Sequence, residues 1–183
     1  MDRRQRKTRE AIFSAFAELL AAKEFGQITV AEIIERADVG RATFYAHFET
    51  KDYLLKELCG ELFCHILDAA EGGHKDHRHI FRCGETDSVF LHLFRHLMNN
   101  DNGILGLLTG RNNEIFLQYF RNSLTELAEK QAELFDERRN EKLPQSFWTG
   151  HIASVFTDTV RWWIENGMKE SPETLTEYFF LAV

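Results

Sequence analysis

The chain has 183 residues, the size of one compact protein with one or two small domains. With 44% hydrophobic residues it can bury a core, and two prolines beside 16 phenylalanines favour long helices over a turn-rich β fold. The net charge of −7 excludes a protein that binds polyanions over its whole surface.

The positive charge is concentrated at the N-terminus. Residues 1–51 carry a net charge of +1, whereas the remainder carries −8. Five cations lie within the first nine residues: Arg3, Arg4, Arg6, Lys7 and Arg9. This distribution is typical of a protein that meets phosphate at one end only, and a solvated tail is the alternative interpretation.

The cysteines and the hydropathy pattern indicate a cytoplasmic protein. Cys59, Cys64 and Cys83 form no CxxC motif, so we expect reduced thiols. The charged N-terminus lacks the apolar segment of a signal peptide. No apolar run approaches the roughly 20 residues that a membrane span needs.

Three short helical patterns open the chain. Residues 8–25 place apolar side chains on one helix face at Ile12, Phe13, Phe16, Leu19 and Leu20. A capping box, Thr29 with Glu32, begins the second helix. A turn follows at residues 38–40, where Asp38 tolerates a left-handed backbone, and a third helix spans residues 41–47.

The rest of the chain also shows helical periodicity. Thr50 caps a long helix that ends near Glu71, and residues 72–85 form a polar, histidine-rich loop. Further helices are predicted at residues 89–97, 104–108, 112–138 and 145–166, and a last one begins at Ser171 and Pro172. About nine helices and no strand predict an all-α fold.

The third helix has the two faces that a DNA-reading helix needs. Phe44 and Phe48 lie four residues apart and are expected to pack against Ile12, Phe16 and Ile33. This packing leaves the other side outward, with Arg41, Ala42, Thr43, Tyr45 and His47. Arginine suits guanine, threonine suits the thymine methyl group, and Tyr45, His47 and Lys51 suit phosphates. An ordinary surface helix is the alternative.

This segment resembles the helix-turn-helix of the TetR family of transcriptional regulators. The matching residues are 29–34 (Thr-Val-Ala-Glu-Ile-Ile), Ala37, Val39, 41–45 (Arg-Ala-Thr-Phe-Tyr), His47, Phe48 and Lys51. The chain departs from the family pattern at Asp38, where glycine is common, and at Gly40, where serine or threonine often caps the helix.

The resemblance implies a three-helix DNA-binding head, residues 1–50, and an antiparallel helical body for ligand binding and dimerisation, residues 51–183. The protein would bind a near-palindromic operator in double-stranded DNA as a homodimer, most often as a repressor that a small-molecule effector releases. Arg41, Ala42 and Thr43 would face bases. Thr29, Tyr45, His47 and Lys51 would hold phosphates. No cofactor is implied.

The C-terminal part resembles one TetR subgroup, through residues 162–164 (Trp-Trp-Ile), 167–168 (Gly-Met) and 171–173 (Ser-Pro-Glu). The resemblance implies that the last two helices pair with their copies in a four-helix interface. The candidate interface residues are Trp162, Trp163 and Phe179. A deeply buried helix is the alternative explanation for this apolar surface.

A ligand pocket is expected between the body helices. The candidate lining residues are Phe90, Phe94, Leu97, Phe116, Tyr119, Phe120, Trp148, His151 and Phe156, with His92 and His96 as further polar groups. An aromatic stripe at helical spacing also suits a plain core.

Other classes of protein remain open at this point. His92 and His96 form an i,i+4 pair that can hold a metal from one helix face, with His74, His77, His79 and Cys83 nearby in the sequence, so a metal-responsive regulator is one alternative. Two ligands on one helix do not make a site, and we assign no metal. No catalytic motif appears, so we expect no enzyme. A helical adaptor that does not bind DNA is the other alternative.

Overall fold

The computed structural model describes residues 3–70, 88–99, 104–109 and 114–183, which form nine α-helices and two short 3-10 segments without a strand. The helices are α1 (Arg3–Ala22), α2 (Val30–Arg36), α3 (Arg41–His47), α4 (Lys51–Ala70), α5 (Val89–Met98), α6 (Ile104–Thr109), α7 (Glu114–Lys130), α8 (Gln145–Glu165) and α9 (Pro172–Ala182). The all-helical prediction is confirmed. The predicted loop at residues 72–85, with His74, His77, His79 and Cys83, lies outside the described residues.

Helix α1 begins at Arg3, earlier than the apolar stripe indicates. The residues before Ile12 include arginine, lysine and glutamine, which are good helix formers and extend the helix although most of these side chains are exposed. The buried face of α1 shares one core with α2 and α3, in which Ile12, Phe16, Ile33 and Phe44 are fully buried. The three-helix head therefore forms as the apolar spacing predicts.

The turn between α2 and α3 relies on Asp38. Its φ of 52° lies in the left-handed region, as its tolerance of that conformation predicts. The N–H groups of Asp38 and Val39 donate to the carbonyls of Glu35 (3.3 Å) and Ile34 (3.1 Å). These two bonds form a Schellman motif, which satisfies the last carbonyls of α2 and sets the direction in which α3 leaves the turn.

Gly40 is a place where the fold can be stabilised. It caps α3 with φ −74° and ψ 152°, a conformation open to any residue, and a Cβ there would lie 3.7 Å from Thr43 Oγ1, an ordinary contact. Gly40→Ser is expected to raise the free energy of unfolding by about 0.5–1 kcal/mol, since it adds a side-chain cap and restricts the unfolded chain. Denaturant unfolding measures the change.

The control for this substitution is Gly167→Ala. Gly167 has φ +79° in the Schellman turn that ends α8, where an L side chain is strained. We expect this variant to be destabilised by roughly 1 kcal/mol or more. If Gly40→Ser is destabilised as well, the cap geometry at α3 differs from the one described.

Helix α4 connects the head to the body without a break. The Thr50 hydroxyl accepts the Tyr53 N–H (3.0 Å), so Thr50 begins the helix as predicted. Near the start of α4, the Arg9 guanidinium of α1 pairs with Glu57 and with Glu61 (3.6 Å). Further along, α4 packs against α5 and α7.

None of the described helices is both long enough and apolar enough to cross a bilayer.

An aromatic cluster fills the centre of the body. Phe94 stacks on Phe156 with ring centroids 4.5 Å apart, and Phe90 lies 4.8 Å from Phe179. Phe135 joins the cluster at 5.6 Å from Phe90. These five rings come from α5, α8, α9 and the 3-10 segment Ala132–Arg138, and all are at most 1% exposed. The cluster therefore holds the C-terminal helices to α5.

The predicted single helix over residues 112–138 is wrong beyond Lys130. Helix α7 ends at Lys130, and a 3-10 segment, Ala132–Arg138, replaces it. The sequence marks Leu134 and Phe135 as equivalent apolar positions, but Leu134 is 45% exposed and Phe135 is 1% exposed. Burial of the Phe135 ring in the aromatic cluster stabilises the chain more than continuation of α7 would. The sequence did not predict this, because local periodicity contains no information on a contact with distant residues.

Candidate nucleic-acid interface

Helix α3 presents a polar face and buries an aromatic one. Phe44 and Phe48 are fully buried, and Phe48 packs edge-on against Phe13 of α1 at 5.3 Å. On the other side, Arg41, Ala42 and Thr43 are exposed, and Tyr45 is 47% exposed. The helix is thus fixed by its back while its front faces solvent, which is the arrangement a major-groove helix requires.

Lys51 has a structural role that the sequence did not reveal. Its ammonium donates to the carbonyls of Phe25 (2.9 Å) and Ile28 (2.8 Å) and lies 4.3 Å from the Phe25 ring centroid. Burial lowers the pKa of Lys51 below its ordinary value. The residue therefore joins α4 to the segment before α2. An ammonium has three donors, so one N–H remains beyond these two bonds to meet a phosphate.

Lys51→Met separates the two roles of this side chain. We expect the free energy of unfolding to fall by about 1–3 kcal/mol, because two carbonyls lose a charged donor. If Lys51 also holds a phosphate, the slope of DNA affinity against salt flattens by about one, equally for all sequences. Chemical unfolding and a salt titration measure these effects. Lys56→Met, at an exposed position of α4, is the stability control; an unchanged salt slope in Lys51→Met would remove the phosphate role.

The capping box positions Thr29 at the start of α2. Its hydroxyl accepts the Glu32 N–H (3.3 Å) and donates to Glu32 Oε2 (2.8 Å), while its own N–H donates to the same oxygen (2.8 Å). Hydrogen bonds from Lys23 and then from Thr29 lower the pKa of Glu32 to about 2. Glu32 is therefore ionised at neutral pH. Thr29 itself is exposed, so a partner can approach it.

His47 and Tyr45 differ in exposure. His47 is half-buried, with its ring 6.3 Å from that of Phe48, and the Tyr45 ring packs edge-on against Phe44 at 5.4 Å. Both rings are thus supported from behind by the buried phenylalanines.

Ala46 is exposed on α3 but was not among the DNA-contacting residues that the sequence predicted. Ala46 follows Ala42 by four residues, which places both on the same face of the helix. This spacing is the sequence signal that could have added Ala46 to the candidate DNA-facing residues.

The basic N-terminal segment is helical, and two of its cations are paired: Arg6 with Glu10 (3.7 Å) on the same helix, and Arg9 with the carboxylates of α4. The Arg9 guanidinium lies 4.9 Å from the ring centroids of both Phe13 and Phe48, besides its pairs with the α4 carboxylates. Arg3, Arg4 and Lys7 are exposed. The free positive charge of this segment is therefore smaller than the count of five cations indicates.

The residues predicted to line a ligand pocket mostly pack against one another. Phe90, Phe94, Leu97 and Phe156 are fully buried, and Phe116 packs 5.7 Å from Phe120. Tyr119 is half-buried, Trp148 is 7% exposed, and the exposed His151 stacks on Trp148 at 5.7 Å.

An open cavity of about 310 Å³ lies elsewhere, between α6, α7 and α8. Its lining residues are Leu108, Leu117, Thr157, Val160, Arg161, Ile164 and Glu165.

The expected dimer residues divide into exposed and buried ones. Trp163 and Phe179 are fully buried inside the protomer, and Trp163 Nε1 donates to the Glu170 carbonyl (3.1 Å). A partner surface cannot contact them, so we correct the expectation at these two positions. Trp162 is 42% exposed and packs edge-on against Tyr178 at 5.9 Å. Neighbouring tryptophans on α8 thus face different surroundings, since one helical step rotates the side chain by about 100°.

The three-helix head, with its anchored and outward-facing third helix, defines a helix-turn-helix DNA-binding protein with a helical body. The family model for bacterial regulatory proteins of the tetR family matches residues 12–58, and that for a transcriptional regulator C-terminal region matches residues 84–183. The chain belongs to the TetR family of transcriptional regulators.

One solved relative agrees with this assignment, and a more distant one shares the fold. A TetR transcriptional regulator from Streptococcus agalactiae 2603V is 32% identical, with a TM-score of 0.72 over 100% of this chain and 96% of that one. FadR from Bacillus subtilis, solved in complex with stearoyl-CoA, shares the fold at 18% identity and a TM-score of 0.58, over 92% of this chain and 94% of that one.

A curated relative matches over a shorter stretch. The helix-turn-helix-type transcriptional regulator YxbF of Bacillus subtilis (strain 168) is 37% identical over an alignment of 75 residues that covers 38% of this chain. The match spans only 20% of the length of YxbF.

Proposed function

We propose that this protein is a ligand-responsive transcriptional repressor that binds a near-palindromic operator as a homodimer in the cytoplasm. The observation that carries the proposal is the two-sided helix α3, with Phe44 and Phe48 fully buried and Arg41, Ala42 and Thr43 exposed. A helix held in this way can enter a major groove without disturbing its own core. Regulation of this kind acts through binding and needs no catalytic residue.

Within the operator, Arg41, Ala42 and Thr43 read bases. Arg41 begins α3 and can donate both its forked N–H groups to guanine O6 and N7, and the methyl groups of Ala42 and Thr43 suit a thymine methyl. Around them, Thr29, Tyr45, His47 and Lys51 fix the position of the head through phosphates. Two heads in successive major grooves would lie about 34–36 Å apart.

The dimer forms through α8 and α9. Four large apolar side chains on these helices are exposed, namely Phe147 (60%), Trp162 (42%), Tyr178 (44%) and Leu181 (82%). Aromatic residues of this kind are enriched in protein interfaces because each buries a large area at low entropic cost. Trp162 and Tyr178 replace Trp163 and Phe179 as the proposed centre of contact.

The effector binds in the cavity between α6, α7 and α8. Its lining combines the apolar side chains of Leu108, Leu117, Val160 and Ile164 with two charged side chains of opposite sign, Arg161 and Glu165. This combination suits a small, largely apolar molecule that carries a polar or charged group. The effector shifts the equilibrium between two head separations only by its difference in affinity for the two states.

Selection from random duplex DNA with the purified full chain tests the proposal. We expect an enriched inverted repeat, with half-sites about one helical turn apart. A salt titration then compares the selected operator with a duplex of the same base composition and scrambled half-sites. A specific complex keeps a large preference for the operator at each salt concentration.

The opposite outcome of the selection favours a different class of protein. If no DNA sequence is enriched, and the protein binds DNA only weakly and loses that binding as salt rises, the basic segment provides only nonspecific attraction to phosphates. The proposal would then be replaced by the helical adaptor that does not bind DNA.

A further inference from the structure

Three buried histidines meet between α4 and α5. His65 of α4 is 1% exposed, and His92 and His96 of α5 are 2% and 3% exposed. Each offers a ring nitrogen, and these three atoms all lie within 4.8 Å of one another. The sequence gives the His92–His96 pair through its i,i+4 spacing, whereas only the packing of α4 on α5 adds His65.

The arrangement of the rings is close to that of a metal site. His92 Nε2 and His96 Nε2 are 3.1 Å apart, and the three ring centroids are separated by 4.9 to 5.2 Å. A tetrahedral zinc ion with Zn–N distances of about 2.0–2.1 Å holds its nitrogen ligands roughly 3.3–3.4 Å apart. The pair on α5 is within a few tenths of an ångström of this spacing, with a hydrogen bond between the two nitrogens that the ion would replace. The His65 nitrogen lies within 4.8 Å of both and would move up to about 1.5 Å nearer to join them.

The donor set selects the kind of ion. Among the residues that the structure describes, the group contains imidazoles alone, with no carboxylate or thiol. Imidazole suits zinc, copper, nickel and iron, whereas magnesium and calcium require oxygen ligands. Leu62 and Ile66 on α4 and Leu93 and Leu97 on α5 are fully buried on the same two helices, so the site is set in an apolar layer.

We propose that His65, His92 and His96 bind a divalent first-row transition-metal ion, with Zn²⁺ as the best fit, and that its occupancy regulates DNA binding. Three protein nitrogens leave a fourth tetrahedral position for water or another exchangeable ligand. The site itself is independent of any DNA, while its regulatory role rests on the function proposed above.

Helix α4 provides the physical connection between the site and the head. Lys51, at the start of α4, holds the carbonyls of Phe25 and Ile28. Arg9 of α1 pairs with Glu57, one to two turns further on. His65 lies about 21 Å along the helix from Lys51, at about 1.5 Å per residue. An ion that joins His65 to α5 restrains α4 against the body and thereby favours one position of the head.

Metal binding is measured on the full chain after removal of metal by a chelator, with its thiols reduced. Competition with a chromophoric chelator should give one Zn²⁺ per chain. His65→Gln and His92→Gln should each lower the affinity by more than about 100-fold, since loss of outer-shell partners alone costs 10–100-fold. The matched control replaces His74, His77 and His79 by glutamine and should keep the affinity of the unchanged chain.

Two results would overturn the site. One is that the wild-type chain binds no stoichiometric Zn²⁺. The other is that the His65→Gln variant still binds Zn²⁺ while the control variant, with His74, His77 and His79 replaced, does not. If the variants do not fold, X-ray absorption is measured on the Zn²⁺-loaded control chain, in which His74, His77 and His79 are replaced by glutamine, because zinc at those positions would give the same imidazole signal. Three imidazole nitrogens around zinc support the site, and sulfur ligands exclude it.

The regulatory role has a separate test on the selected operator. In the wild-type chain, saturating Zn²⁺ should change DNA affinity by about 5–150-fold, the usual range of coupling between sites. In His65→Gln the same addition should change it little. Equal affinity with and without Zn²⁺ in a chain that binds the ion would overturn the regulation and leave the site intact. Failure to select any operator would contradict the proposed function but not the metal site, because the metal titration uses no DNA.

Discussion

Phe44→Ala is expected to lower the free energy of unfolding by about 3–5 kcal/mol, the usual cost of deleting a buried aromatic ring. Phe44 is fully buried, and its ring lies 6.0 Å from that of Phe48. The substitution leaves a cavity between α3 and the rest of the head, so α3 loses its support. Denaturant unfolding measures the loss, and DNA binding should fail at temperatures where the head has melted.

Arg41→Ala on the same helix is the control for this prediction. Arg41 is exposed, so the free energy of unfolding should stay within about 0.5 kcal/mol of that of the unchanged chain. Its effect is expected in DNA binding, where operator affinity falls by about 1–3 kcal/mol and preference relaxes at one base pair of each half-site. An unchanged preference would show that Arg41 reads no base. Equal stability losses in both variants would contradict the two-sided description of α3.

Trp163→Ala and Trp162→Ala, at neighbouring positions of α8, are expected to fail in different ways. Trp163 is fully buried and loses both its packing and its hydrogen bond to the Glu170 carbonyl, so the protomer should lose about 3–5 kcal/mol. Trp162 is exposed beside Tyr178, so its removal should leave the protomer folded. It should weaken the dimer by about 2 kcal/mol or more, roughly 30-fold in the dissociation constant.

Sedimentation over a range of protein concentrations separates these effects. Unfolding must also be followed at several concentrations, because the proposed dimerisation would itself stabilise the folded chain. If Trp162→Ala dissociates like the unchanged chain, Trp162 lies outside the interface. If Trp163→Ala keeps full stability, its side chain is not part of the core that the structure describes.

Local signals in the sequence predicted the head well. The Thr29–Glu32 capping box, the left-handed Asp38 and the burial of Phe44 and Phe48 are all confirmed. Each depends on residues within about four positions of one another, and hydrogen-bond geometry or helix periodicity fixes them without knowledge of the rest of the chain. The start of α9 at Ser171 and Pro172 is confirmed for the same reason.

The body was less predictable, because its helices are apolar on more than one side. Periodicity shows that α8 has a wide apolar surface, but it does not show which part faces the core. The structure buries Trp163 and exposes Trp162. It likewise packs Phe90, Phe94 and Phe156 into the aromatic cluster, where we had expected a ligand pocket. Such choices depend on which helices lie opposite, and no local pattern contains that information.

By itself, the sequence determined the all-helical class, the helix-turn-helix and the side of α3 that faces outward. These follow from hydrogen bonds and apolar spacing within single helices and turns. Only the tertiary structure decided that Lys51 holds the carbonyls of Phe25 and Ile28, that α7 gives way to a 3-10 segment near Phe135, and that His65 meets His92 and His96. Each of these contacts joins residues far apart in the chain, and packing between helices alone brings them together.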